Sequence, residues 1–228
     1  MKLKIMTFNI QHCLDYKRRV IDHTVMTDVI AGLDADVCGL NEVRGRGKSE
    51  DYTAQAERMA ATLDMHGVFG QSALIHGYDP YGNAVLSKFP IMSFNVIPIP
   101  QITDTEPRSV LRCELSSGLV VYQSHFGLST PEFECAVETA HTLLSSETKP
   151  AVLMGDFNMT PDNEILKPLT DSFESADKYL DGALTFPSDA PRIKIDYIFA
   201  NDKVKILSAR VPEIVASDHR PIVAEIEF

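Results

Sequence analysis

The chain has 228 residues, the length of one large α/β domain, and its 44% hydrophobic and 23% charged content excludes an extended disordered chain. No apolar run approaches the roughly 20 residues that a membrane-spanning helix needs. The net charge of −11 argues against a broad basic face for nucleic-acid phosphates, and Arg44-Gly45-Arg46-Gly47-Lys48 is the one candidate for a local basic patch.

Strand and helix signals alternate along the chain with no low-complexity linker. Leu3 to Ile10 reads as a strand, and Asp22 to Leu33 has helical spacing through Val25, Val29, Ile30 and Leu33. Asp36 to Leu40 is a short buried strand that delivers Asn41 and Glu42 at its carboxyl end. Tyr52 to Leu63 reads as a second helix. Ala84 to Ser87, Ile91 to Ile99, Ser109 to Leu115 and Leu119 to Ser124 follow as strands, punctuated by prolines and glycines. Pro131 to Leu144 reads as a helix with its proline in the first turn. Ala151 to Met154 and Ile195 to Phe199 are apolar strands, and Pro221 to Phe228 is the last.

Cys13, Cys38, Cys113 and Cys135 show no metal-like spacing and are expected to be reduced and mostly buried. The amino terminus turns polar too early to supply a signal-peptide core. The chain is therefore expected to be cytoplasmic, and it is expected to be monomeric. Ile5-Met6-Thr7-Phe8-Asn9-Ile10 and Leu153-Met154-Gly155-Asp156-Phe157-Asn158-Met159 both run an apolar strand into a Phe-Asn pair. That echo predicts two related sheet-and-helix halves whose strand ends converge, within a single domain over residues 1–228.

Apolar strands ending in polar residues are the recurring chemical feature. Asn9, Glu42, His125, Asp156, Asn158, Asp196 and the Asp218-His219 pair all lie at or near such ends, where open α/β sheets place ligands. Asparagine, glutamate and aspartate offer hard oxygen donors suited to Mg2+, Mn2+ or Ca2+, while no histidine pair or cysteine cluster supports zinc.

These segments, taken in order, resemble the endonuclease/exonuclease/phosphatase superfamily. The resemblance is carried by Thr7-Phe8-Asn9, Asn41-Glu42-Val43, Tyr81 to Lys88, Ser124-His125-Phe126, Gly155-Asp156-Phe157-Asn158, Ile195 to Phe199 and Ser217-Asp218-His219-Arg220-Pro221. It implies a four-layer α/β sandwich in which two packed mixed sheets are flanked by helices. It also implies metal-assisted phosphoester hydrolysis, with Mg2+ the expected ion and Mn2+ or Ca2+ possible substitutes. Glu42 would be the principal metal ligand, with Asn9 and Asp218 near the same metal. Asp156 would orient or deprotonate the attacking water, and Asn158 would donate to phosphate oxygens. His219 would contact the scissile phosphate with Asp196 as its carboxylate partner, and His125 would be a second donor. Arg108, Asn83 and Tyr81 are candidate substrate contacts. One departure from the family pattern is Gln11, which stands where nuclease relatives often carry an acid. The acidic balance points to a small phosphodiester or phosphomonoester substrate, sugar- or lipid-linked; the alternative is a DNA endonuclease or exonuclease of repair or degradation type.

Overall fold

A computed structural model describes residues 1–102 and 104–228. Its strands are β1 (Lys2–Asn9), β2 (Val37–Arg44), β3 (His66–Ile75), β4 (Asp79–Ser87), β5 (Ile91–Pro98), β6 (Ser109–Leu115), β7 (Val120–His125), β8 (Ala151–Asp156), β9 (Glu174–Ser175), β10 (Asp196–Ala200), β11 (Lys205–Arg210) and β12 (Ile222–Glu227). The helices are α1 (His23–Leu33), α2 (Gln55–Leu63), α3 (Thr130–Ser146) and α4 (Lys167–Ser172). No helix among the described residues is long and apolar enough to cross a membrane.

Two-residue periodicity in strands that are apolar on both faces produces the layering. In β1, Leu3 and Ile5 enter one buried cluster while Met6 and Phe8 enter another. In β8, Val152 and Met154 join the first cluster, and Ala151 and Leu153 join a third. The first cluster lies between two six-stranded sheets, ordered β11-β12-β1-β2-β4-β3 and β5-β6-β7-β8-β10-β9. α1 and α2 cover the outer face of one sheet, and α3 and α4 that of the other. The result is the four-layer α/β sandwich with mixed sheets that the resemblance implied.

Both sheets repeat one pattern. β1–β2 and β7–β8 are parallel pairs, each joined by a helix, and their other neighbours are antiparallel. β1 therefore corresponds to β7 and β2 to β8. The Phe-Asn echo had aligned β1 with β8, which is one strand out of step.

Local chemistry accounts for the differences at element ends. Asp22 caps α1, accepting from the Thr24 backbone N–H, so the helix starts at His23. α2 starts at Gln55 rather than Tyr52 because Ala54 is left-handed, at φ 56°. α3 begins at Thr130, before Pro131, behind a capping box formed by Ser129 and Glu132. β4 reaches back to Asp79, and β3 and β11 were not anticipated: β3 carries Gly67, Gly70 and Gln71, and β11 is a polar edge strand.

Gly155 permits the close approach of β8 to β7. Its φ is +146°, and a Cβ there would lie 1.8 Å from the Ser124 carbonyl oxygen. Gly155→Ala is expected to cost at least about 2 kcal/mol in denaturant unfolding; a loss below about 0.5 kcal/mol would mean that the strands can separate freely there.

Candidate active site

The ladders set the spacing of the polar strand ends. Across β7–β8, His125 pairs with Asp156, and across β8–β10, Asp156 pairs with Asp196. Three neighbouring strands thus present the three side chains in a row. In the other sheet Asn9 pairs with Asn41, and Glu42 follows at a break in the β2–β4 register with φ 59°. Across the packed sheets, Asn9 Nδ2 donates to Glu42 Oε1 at 3.1 Å and to Asp156 Oδ2 at 3.0 Å.

Asp156 is the hub. Besides Asn9, its Oδ2 faces the Nε2 atoms of His125 and His219, both at 3.5 Å. Its Oδ1 accepts from the Asn158 backbone N–H at 3.0 Å, and its own N–H donates to Asn41 Oδ1 at 3.0 Å. His219 is held from the other side by Asp196 Oδ2, 2.9 Å from Nδ1, and its ring packs on Phe186 at 4.9 Å between centroids. The 185–188 loop clasps the 217–220 segment: the Ser188 N–H donates to the Asp218 carbonyl and Arg220 Nε to the Ser188 carbonyl, both at 2.7 Å.

The two histidines are driven in opposite directions. Burial and then the Arg108 charge push His125 down to about 3, leaving it neutral. Burial would lower His219 as well, but the Asp196 and Asp156 carboxylates outweigh it and raise the imidazole to about 10. Asp156 is raised, chiefly by burial and against the opposing His219 charge. Burial also pushes Glu42 up, yet the neighbouring His12 and Asn9 side chains work against it and hold the carboxyl below its usual range. Asp218 is raised by burial, with Glu42 adding repulsion.

The expected substrate contacts divide. Asn83 is buried, its Oδ1 accepting from Asn41 Nδ2 at 2.8 Å and its Nδ2 donating to the Ser109 carbonyl at 3.2 Å. It is a buried strut behind Asn41. Tyr81 lies near Glu42; burial, and then that carboxylate's charge, raise the phenol. Arg108 stands close enough to His125 to depress it, and one end of its guanidinium pairs with Glu106 at 3.2 Å.

Residues 6–219 match the family described as the Endonuclease/Exonuclease/phosphatase family. The chain belongs to the endonuclease/exonuclease/phosphatase family. It is a hydrolase acting on phosphoester bonds. No curated protein matches the chain. Solved structures with the same fold include an endonuclease/exonuclease/phosphatase from Beutenbergia cavernae DSM 12333, with 23% identity over 100% of this chain and 72% of that one at a TM-score of 0.80. A family protein from Leptotrichia buccalis C-1013-b is 20% identical over 99% of this chain and 100% of its own, with a TM-score of 0.81. A mannosyl-6-phosphatase from Bacteroides thetaiotaomicron VPI-5482 is 16% identical over 99% and 100%, with a TM-score of 0.76.

Two groups within this family site could attract a cation. Asp156, Asp196 and His219 offer ligand atoms within 4.8 Å of one another. Their closeness is accounted for by the carboxylate–imidazolium–carboxylate chain itself, which consumes both ring nitrogens. The more open group surrounds Glu42 and Asp218. There Gln11 Nε2 donates to Asp218 Oδ2 at 2.9 Å, while Gln11 Oε1 is buried without a hydrogen-bond partner. Two mutually repelling acids beside an orphaned amide oxygen form an oxygen-rich donor set that fits Mg2+, Mn2+ or Ca2+. Asn9 Oδ1 accepts from the Gln11 backbone N–H at 3.0 Å, and its NH2 group joins Glu42 to Asp156.

Two participants, Asn41 and His12, had no role in the sequence reading, and Gln11 stood out there only as a departure from the family pattern. Asn41 sits inside a quoted motif but has no acid or imidazole to draw attention. Gln11 and His12 lie just past Asn9 in a turn where Gln11, His12 and Cys13 all have positive φ, between 43° and 63°. Left-handed backbone at non-glycine residues costs about 1–2 kcal/mol each. No residue pattern announced it, and proximity to Asn9 was the available signal.

The two-sided clamp on His219 has a direct test. In wild type, 15N NMR should show both ring nitrogens protonated through neutral pH. Asp196→Asn removes a carboxylate that stabilises the imidazolium, so the titration should move to lower pH by more than about one unit; an unchanged midpoint would contradict the assigned cause.

Proposed function

We propose that this family member is a divalent-metal-dependent hydrolase of a small phosphomonoester or phosphodiester, sugar- or lipid-linked, acting as one catalytic domain over residues 1–228. The reading rests above all on one atom. Asp156 Oδ2 is addressed by an amide and two imidazoles and is tied through Asn9 to Glu42, so a basic oxygen stands beside donors for an anion.

Asp156, raised by burial, takes the proton of the attacking water; a base poised nearer neutrality than an ordinary aspartate suits that step. Asp196 keeps His219 protonated, and the imidazolium binds a non-bridging phosphate oxygen and its developing charge. Neutral His125 offers an N–H to the same group. Asn158, left-handed at φ 54°, gives one amide N–H to the Phe126 carbonyl at 3.1 Å and keeps the other for phosphate. Glu42 and Asp218 would hold the cation, expected to be Mg2+, which when bound neutralises phosphate charge and favours in-line attack. Tyr81 steadies Glu42, and Arg108 borders the phosphate from the His125 side.

A small substrate is supported by the pairing of the two arginines nearest the site: Arg44 faces Asp51 at 3.5 Å and stacks over Tyr52, and Arg108 pairs with Glu106. A nuclease needs a run of free cations along the nucleic-acid backbone, so that reading is disfavoured.

The test is a turnover panel of sugar phosphates, nucleotides, phospholipid headgroup esters, duplex DNA and abasic DNA, with Mg2+ and with chelator. Phosphate release from the small esters should stop on chelation, and Asp156→Ala or His219→Ala should lose at least about 1,000-fold in kcat. Efficient cleavage of duplex DNA at physiological salt, with the small esters untouched, would overturn the substrate assignment. Wild-type rates in His219→Ala would overturn the mechanism.

A further inference from the structure

The turn after β1 is more elaborate than chain reversal requires. Gln11, His12 and Cys13 are consecutive left-handed residues and none is glycine. The turn is locked from below by Gln55, a fully buried amide whose Nε2 donates to the His12 carbonyl at 2.7 Å and whose Oε1 accepts from the Arg44 N–H at 2.9 Å. The Gln11 N–H is in turn tied to Asn9 Oδ1. Backbone held this way at a functional site points to a side chain that must be aimed.

That side chain is His12. Its Nδ1 stands 3.8 Å from Glu42 Oε2, and the ring is about a quarter exposed, so it is open to the cleft. The separation is too long for a hydrogen bond, which fades beyond about 3.5 Å. It does suit two donors that share one ion: with bonds of about 2.1 Å to a small divalent metal, two ligand atoms stand at most ~4.2 Å apart. Asn9 turns toward Glu42 Oε1 its NH2 group, which donates and cannot ligate, whereas His12 faces Oε2 with a ring nitrogen that can.

We propose that His12 Nδ1 is a direct ligand of the divalent ion held at Glu42. The site then has a mixed nitrogen–oxygen donor set in place of an all-oxygen one. Imidazole favours later first-row ions over Mg2+, so His12 is a determinant of metal preference: it selects Mn2+ over Mg2+ where carboxylates alone discriminate less. This inference rests on the metal-dependent reading above.

The probe is Mn2+ alone, without substrate. Electron spin-echo modulation of the Mn2+-loaded wild type should show a directly coordinated imidazole 14N, and uniform [15N]histidine labelling should convert the signal. The coupling should vanish in His12→Gln and His12→Ala, with the Mn2+ Kd rising at least about 10-fold and the Mg2+ Kd by less than about 3-fold. A wild-type spectrum with bound Mn2+ and no 14N coupling would overturn the proposal without any variant. Coupling that persists in both variants would also overturn it, since the nitrogen would then belong to another histidine. Failure of the underlying reading looks different: Mn2+ would not bind, or would bind equally well to Glu42→Gln.

Discussion

The Asn41 carboxamide lies between the two sheets with its hydrogen-bonding capacity fully used. Its NH2 donates to Asn83 Oδ1 and the Ser124 carbonyl, both at 2.8 Å, and its oxygen accepts from Gln123 Nε2 at 2.9 Å and the Asp156 N–H at 3.0 Å. Each such bond contributes only about 1 kcal/mol net, but a buried partner left orphaned costs about 1–3 kcal/mol. Asn41 therefore acts as a fitted peg. It rides on β2 directly before Glu42 and grips the backbone of Asp156 on β8, so it fixes the two carboxylates relative to each other across a sheet–sheet interface that apolar packing alone would leave free to slide.

Charge distribution follows from that alignment. Glu42, Asp156, Asp196 and Asp218 converge with one firmly protonated imidazole, because His125 is neutral under burial and the Arg108 charge. The centre is left with excess negative charge, and repulsion between Glu42 and Asp218 contributes to raising the latter. A cation relieves that excess. The protein keeps its own positive charge at His219, on the side of Asp156 where an anion must bind, and leaves the Glu42 side acidic.

Much of this was legible in the sequence wherever a strand is covered on both faces. β2, β8 and β10 read as unbroken apolar runs because each packs against a helix layer and the opposite sheet, and their polar ends stood out by contrast. β3 and β11 gave no such contrast, being edge strands interrupted by glycine or polar residues. Tyr52 was drawn into a helix by its hydrophobicity, whereas it stacks beneath Arg44. Alternation from Val85, an inter-sheet core residue, places Asn83 inward, behind Asn41. The orientation of the Asn9 amide had no sequence signal: it is decided by the Gln11 N–H, supplied by a turn whose conformation depends on Gln55 from another element.

The left-handed positions tie these observations together. Glu42 sits at the register break inside β2, while Asn158 and the Gln11–Cys13 turn follow strand ends at the cleft, and all have positive φ without glycine. Glycine would remove the strain at each, but it would also remove the carboxylate, amide or imidazole that faces the cleft. A strand alternates its side chains between faces, so a residue just past the last ladder bond projects above or below the sheet. A left-handed step turns it instead toward the gap between the sheets, where residues from both can meet around one phosphate. The strain is thus the geometric consequence of building a single site from the ends of two sheets, and rigid surroundings such as the Asn41 peg and the Gln55 lock are what allow it to persist.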